Sequence, residues 1–117
     1  MSVGRFGDTH YNWREDVARL VRRFEQRFKT KANTYVDHPT GFGLDDRSVD
    51  FWAPRGRGVS ISPRTGQAIF RRLRHRERPP DYRWIIWKGH IYYGNGGVEP
   101  YDDPLDQHFD HVHVTFW

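Results

Sequence analysis

The apolar positions near the start of the chain recur at helical spacing. Trp13, Val17, Leu20, Val21, Phe24 and Phe28 fall on one stripe, which predicts an amphipathic helix over about 12–30. Asn12 with Glu15 three residues on reads as a cap and capping-box partner. The opposite face carries Arg14, Arg19, Arg22, Arg23 and Arg27. Residues 32–37 read as a short strand, 38–46 as a turn-rich loop, 47–52 as a second strand and 53–58 as another loop. Ser62 as cap and Pro63 at the first helical position open a second helix. Ile69, Phe70 and Leu73 give that helix a narrow apolar stripe, and it breaks at Pro79-Pro80. Two aromatic and β-branched runs, 82–87 and 90–93, flank Lys88-Gly89 and predict a hairpin. Residues 94–97 form a further turn, 99–109 an acidic loop, and 110–117 a closing strand by alternation.

Helices and antiparallel hairpins without βαβ alternation predict an α+β domain, a small antiparallel sheet flanked by two helices. The chain is 117 residues long, so it is read as one domain, 1–117, with the helix at about 12–30 and a core at about 32–117. Although only 36% of residues are hydrophobic, 16% are aromatic, which argues against disorder and for a core built from large rings. No apolar run approaches the roughly 20 residues of a membrane span, so no membrane partner is expected. Residues 1–13 lack the apolar core of a secretory signal, which predicts a protein made in the cytoplasm. The formal charge of +4 favours anionic partners. With no cysteine, any transition metal must be held by His and carboxylates.

Two stretches carry candidate chemistry. His111 and His113 alternate within a predicted strand and therefore point to the same face, as a pair of imidazole metal ligands would. Asp50 lies between Val49 and Phe51 in another predicted strand, where burial is costly unless the carboxylate is paired or metal-bound. His38 precedes a Gly-rich turn in the same region. Solvated positions for Asp50 and His38 are the plainer alternative.

His38 with Gly41, then Ser48-Val-Asp50-Phe51, then His111-Val-His113 form an ordered set. In this the chain resembles the zinc peptidases that include D-alanyl-D-alanine carboxypeptidases, D-Ala-D-Ala dipeptidases and the L-alanyl-D-glutamate endolysins of phages. The ending from Asp110 to Phe116 is most similar to short lysin peptidase domains of phages that infect actinobacteria. The resemblance covers about 32–117. It implies a carboxypeptidase/endolysin-like fold and a Zn²⁺ ion held by His38, Asp50 and His113, with Asp45 and Asp46 as alternatives to Asp50. It implies Asp110 as proton shuttle, and His111 or His108 as donor to the oxyanion of the tetrahedral intermediate. For the group that polarises the scissile carbonyl only Lys29 and Lys31 offer themselves. The implied activity is hydrolysis of an amide bond in the stem peptide or cross-link of peptidoglycan, by a monomer that reaches the wall after release from the host cytoplasm. No nucleic acid partner is expected.

Two other classes stay open. His113-Val-Thr115 and His38-Pro-Thr40 formally match a metal-independent phosphodiesterase with two His-x-Thr motifs, although proline inside the second argues against a strand there. The basic run 71–78 would suit a non-catalytic module that binds wall polymer or nucleic acid. Trp84, Trp87, Tyr92 and Tyr93 could line a substrate groove, though packing is the favoured reading. Asp102, Asp103 and Asp106 read as a solvated acidic loop near the site mouth, without a regular Ca²⁺-binding pattern.

Overall fold

A computed structural model describes residues 13–34, 45–75, 81–101 and 110–117. The first helix, α1, runs from Glu15 to Phe28 and ends at Lys29 in the left-handed conformation. It starts later than the Asn12–Glu15 capping box predicts. Arg14 occupies the N-cap position without a side-chain cap. Longer-range bonds set this start: Trp13 Nε1 donates to the Ser48 carbonyl at 2.8 Å, and the Arg14 amide donates to the Asp46 carbonyl at 2.9 Å. Asn12 itself lies outside the described residues.

After α1 come β1 (Lys31–Asn33), a single 3-10 turn (Asp45–Arg47) and β2 (Ser48–Trp52). The second helix, α2 (Pro63–His75), opens as the sequence predicts. The Ser62 hydroxyl accepts from the Thr65 amide at 3.1 Å, and Pro63 takes the first helical position. The hairpin β3 (Tyr82–Trp87) and β4 (His90–Tyr93) turns at Lys88-Gly89, both with positive φ, as a two-residue hairpin turn requires. One strand departs from the expectation: β5 (Val98–Pro100) extends β4 where the sequence reads as turn and acidic loop. It is an exposed edge strand, where a terminal proline is tolerated. The last strand, β6, spans Val112–Phe116.

The six strands form one sheet in the order β1-β2-β6-β3-β4-β5, and every pairing is antiparallel. The chain therefore ends by inserting β6 between β2 and β3, at the middle of the sheet. Alternation then sorts its side chains. Val112, Val114 and Phe116 join Val49, Phe51, Ile85 and Trp87 on one face, all essentially inaccessible to solvent. Both helices pack there, beside each other rather than on opposite sides of the sheet. Phe24 of α1 meets Phe51 at a ring separation of 5.4 Å. On α2, Gly66 lies so close to the Trp87 ring that a Cβ there would fall 2.3 Å from it.

Candidate functional site

The opposite face of β2 and β6 is polar. Register pairs Asp50 with His113 and Ser48 with Thr115. Residues 63 apart in sequence are thus direct cross-strand neighbours, and alternation directs all four to the face away from the helices. Asp50 is 5% exposed and Thr115 1%, so both are buried, while Ser48 and His113 are half-buried. A buried carboxylate demands a partner. His113 Nδ1 lies 2.7 Å from Asp50 Oδ1.

His111 approaches the same carboxylate. It sits in a bend just before β6 starts, yet its Nε2 comes within 3.6 Å of Asp50 Oδ1. Its ring stacks on Trp52 with centroids 4.2 Å apart. Trp52 is held in turn by donation from its Nε1 to Asn33 Oδ1 at 2.8 Å, and its carbonyl accepts from the Thr30 hydroxyl. The two imidazoles therefore share a design: each turns one nitrogen to Asp50 and has the other engaged elsewhere. For His111 the outer contact is Nδ1 with Asp110 Oδ1 at 2.7 Å. For His113 it is Nε2 with Thr115 Oγ1 at 2.9 Å. Metal-ligating histidines are characteristically held this way, the second nitrogen bonded to a carboxylate or other polar group that fixes tautomer and ring orientation.

Thr115 has a further contact, Oγ1 to Ser48 Oγ at 3.0 Å, and either hydroxyl can donate. The pair can serve both tautomers of His113. With a proton on Nδ1, that nitrogen donates to Asp50, and Thr115 donates to Nε2. With the proton on Nε2, His113 donates to Thr115, which in turn donates its hydroxyl hydrogen bond to Ser48, and the unprotonated Nδ1 keeps a lone pair that could ligate a metal. The sequence does not single out Ser48 and Thr115 as site residues, apart from the place of Thr115 in a His-x-Thr pattern. Their role depends on cross-strand register, which no local signal reveals.

The structure separates the other sequence candidates. Asp46 is engaged by Arg47 Nε at 2.9 Å, away from the histidine pair. Asp45 begins the 3-10 turn that leads into β2. Asp110 precedes the regular strand, as its expected role beside His113 requires, and its carboxyl group is half exposed. Lys31 is exposed on β1 opposite Trp52, and Lys29 is exposed at the end of α1. His38, Thr40, His108, Asp102, Asp103 and Asp106 lie outside the described residues, as do residues 76–80 of the basic run.

The aromatic hairpin is divided by alternation. Trp87 and Tyr92 face the helices; Trp87 Nε1 donates to Gln67 Oε1 at 3.1 Å, and Tyr92 packs on Phe70 at 4.6 Å. Trp84 and Tyr93 pair with each other on the site face, and Trp84 is also in register with Thr115. Packing thus accounts for half of the cluster, and the other half extends the row that contains Ser48 and Thr115. Desolvation against the sheet, with the Glu99 carboxylate beside it, raises the Tyr93 phenol above its ordinary value of 10.0.

Zinc takes nitrogen and oxygen donors of the types present here. Among the described residues no group of three or more His, Asp or Glu is laid out as a complete metal site. Asp50 and His113 are closed on each other by a hydrogen bond, and His38, the third expected ligand, is not among those residues. In donor chemistry and in the anchoring of both imidazoles, the residues fit a zinc ion. No protein-family model, curated protein or solved structure matches the chain. Among the described residues, no helix is long and apolar enough to cross a membrane.

Proposed function

We propose that the chain is a zinc-dependent peptidoglycan peptidase of the carboxypeptidase/endolysin type, cutting an amide bond in the stem peptide or cross-link. The observation that carries this reading is the buried Asp50–His113 pair, set in register across β2 and β6 with the far nitrogen of His113 on Thr115. The aspartate strand and the His-x-His strand, two parts of the family-like motif set that lie far apart in sequence, are thereby side by side.

On this reading Asp50 and His113 hold the ion together with His38. Zinc, when bound, would acidify a water and polarise the scissile carbonyl. The remaining work falls to side chains. Asp110, half exposed and bonded to His111, accepts a proton and returns it to the leaving amine. The resemblance assigns the donor to developing negative charge to His111 or His108; His111 is held between Asp110 and the Trp52 ring with its Nε2 toward Asp50. Trp84 and Tyr93, on the same face, offer apolar area for the substrate. The enzyme would act as a monomer on the wall after leaving the cytoplasm.

The test is release of new amino termini from purified peptidoglycan and soluble stem peptides, with and without chelator. The expected result is cleavage that stops in chelator, returns with zinc and is absent in Asp110→Asn. Hydrolysis of a cyclic phosphodiester that persists in chelator would favour the phosphodiesterase with two His-x-Thr motifs instead. The Thr115 hydroxyl counts against that alternative, because it is 1% exposed and bonded within the sheet.

A further inference from the structure

Strand β3 is irregular where it meets the end of β6. Tyr82 pairs with Phe116 and Trp84 with Thr115, so β3 advances two residues against one of β6, and Arg83 is the extra residue of a β-bulge. In a regular strand Tyr82 and Trp84 would share a face. Here Tyr82 is buried in the helix-side core, whereas Trp84 lies with Thr115 on the opposite face. The bulge thus brings Arg83 to the side of the sheet that carries Asp50 and His113. Its guanidinium carbon lies over two indole rings, 5.0 Å from the centroid of Trp84 and 4.7 Å from that of Trp117.

Trp117 is anchored in this position. Its amide donates to the Asp81 carbonyl at 3.1 Å, and its own carbonyl accepts from Arg14 Nη1. The residue is nevertheless 61% exposed, while Arg83 and Trp84 are half-buried. Stacking on rings occupies the flat faces of a guanidinium and leaves its planar N–H fork for an acceptor. Arg19 and Arg47 have that fork engaged by carboxylates, Glu15 and Asp46. Among the described residues no carboxylate pairs with Arg83. The two rings restrict its rotamers in advance, which lowers the entropy lost when an anion binds. In extended backbone Thr115 stands about 7 Å, and Trp117 about 14 Å, from His113. A bound peptide of about four residues spans that distance.

We propose that Arg83 binds a carboxylate of the substrate and so determines specificity on the face that carries Asp50 and His113. The planar fork grips both carboxylate oxygens and aligns the peptide along Trp84, Thr115 and His113. That the carboxylate belongs to a stem peptide rests on the peptidase reading; the anion chemistry of Arg83 does not. A stem peptide offers such a group both within its chain and at its end.

The experiment follows indole fluorescence of the zinc-supplemented full chain carrying Asp110→Asn, which the proposed mechanism leaves without hydrolysis. The probes are one soluble stem pentapeptide as the free acid, with its terminal carboxylate amidated, and with its internal carboxylate amidated. One amidated form should bind about tenfold more weakly than the free acid, and it identifies the carboxylate that is held. Added Arg83→Gln should weaken binding of the free acid by the same factor and leave that amidated form unchanged. Arg83→Lys, which keeps the charge without the planar fork, should fall between the two. Arg71→Gln, on the exposed side of α2, should stay within about twofold of the parent chain. Equal affinity for the three peptides, or a loss in Arg83→Gln that is the same for all of them, would overturn the proposal. Hydrolysis by the chain with Asp110 intact tests the peptidase reading separately. Carboxylate preference without hydrolysis supports the role of Arg83 and removes the peptidase; hydrolysis without preference does the reverse.

Discussion

The two faces of the central strands come from alternate residues of the same segments, yet they obey different rules. On the helix side Val49, Phe51, Val112, Val114 and Phe116 are apolar and fully buried, and any side chain of similar shape would serve. On the other side Ser48, Asp50, His113 and Thr115 are joined by specific hydrogen bonds, and buried His111, bonded to Asp110, brings Nε2 within 3.6 Å of Asp50. An apolar layer alone would be the simpler way to stabilise so small a domain. Keeping a buried carboxylate between two imidazoles costs desolvation that hydrogen bonding at best offsets. That difference separates the face that makes the fold from the face proposed to carry the chemistry.

The largest effects are expected on the helix side. Phe51→Ala removes a ring packed on Phe24 and should cost about 3–5 kcal/mol. Chemical denaturation reads this directly, and in a domain of this size the variant should be largely unfolded near its working temperature. Gly66→Ala should cost about 1–3 kcal/mol, because the new methyl group displaces a buried Trp87 ring already fixed by Gln67. A loss of thermal stability without loss of zinc would keep this effect on the helix side.

On the site side, Thr115→Val should change stability by only about 1 kcal/mol. It should weaken zinc binding about 10- to 100-fold in a chelator competition, because His113 loses the partner that fixes its tautomer. Thr115→Ser should restore affinity. Unaltered zinc affinity in the valine variant would show that the hydroxyl pair is mere filler. The smallest effect concerns Tyr93. Its folded-state pKa is raised, so its contribution to stability is complete below its ordinary value of 10.0 and is lost as pH climbs above that value. Tyr93→Phe should flatten this alkaline decline in a melting series, with no change near neutrality.

Elements closed by neighbouring residues are legible in the sequence. The apolar stripe of α1, the Ser62–Pro63 start of α2 and the Lys88-Gly89 turn are local signals, and each lies where expected. The start of α1 is not legible, because Asp46 and Ser48, more than 30 residues away, hold Trp13 and Arg14. Nor is β5, whose three exposed residues alternate in no readable way and end in proline. At the site, the buried, partnered state of Asp50 follows from the cost of desolvating a carboxylate, whereas His111, expected on a regular strand, reaches the same carboxylate from a bend before β6. Their meeting, and the recruitment of Ser48 and Thr115, come from the register of β2 on β6, which is set only once the C-terminal strand enters the sheet.

In the proposed function the polar row of β2 and β6 is a metal site, and the apolar layer behind it takes no part in metal binding. The most direct test is elemental analysis of wild type, Asp50→Asn and His113→Ala, purified side by side without chelator and checked for cooperative unfolding. About one zinc per chain is expected in wild type and none in the two variants, all three remaining folded. A folded wild type that takes up no zinc even after add-back, or variants that bind it as well as wild type does, would contradict it.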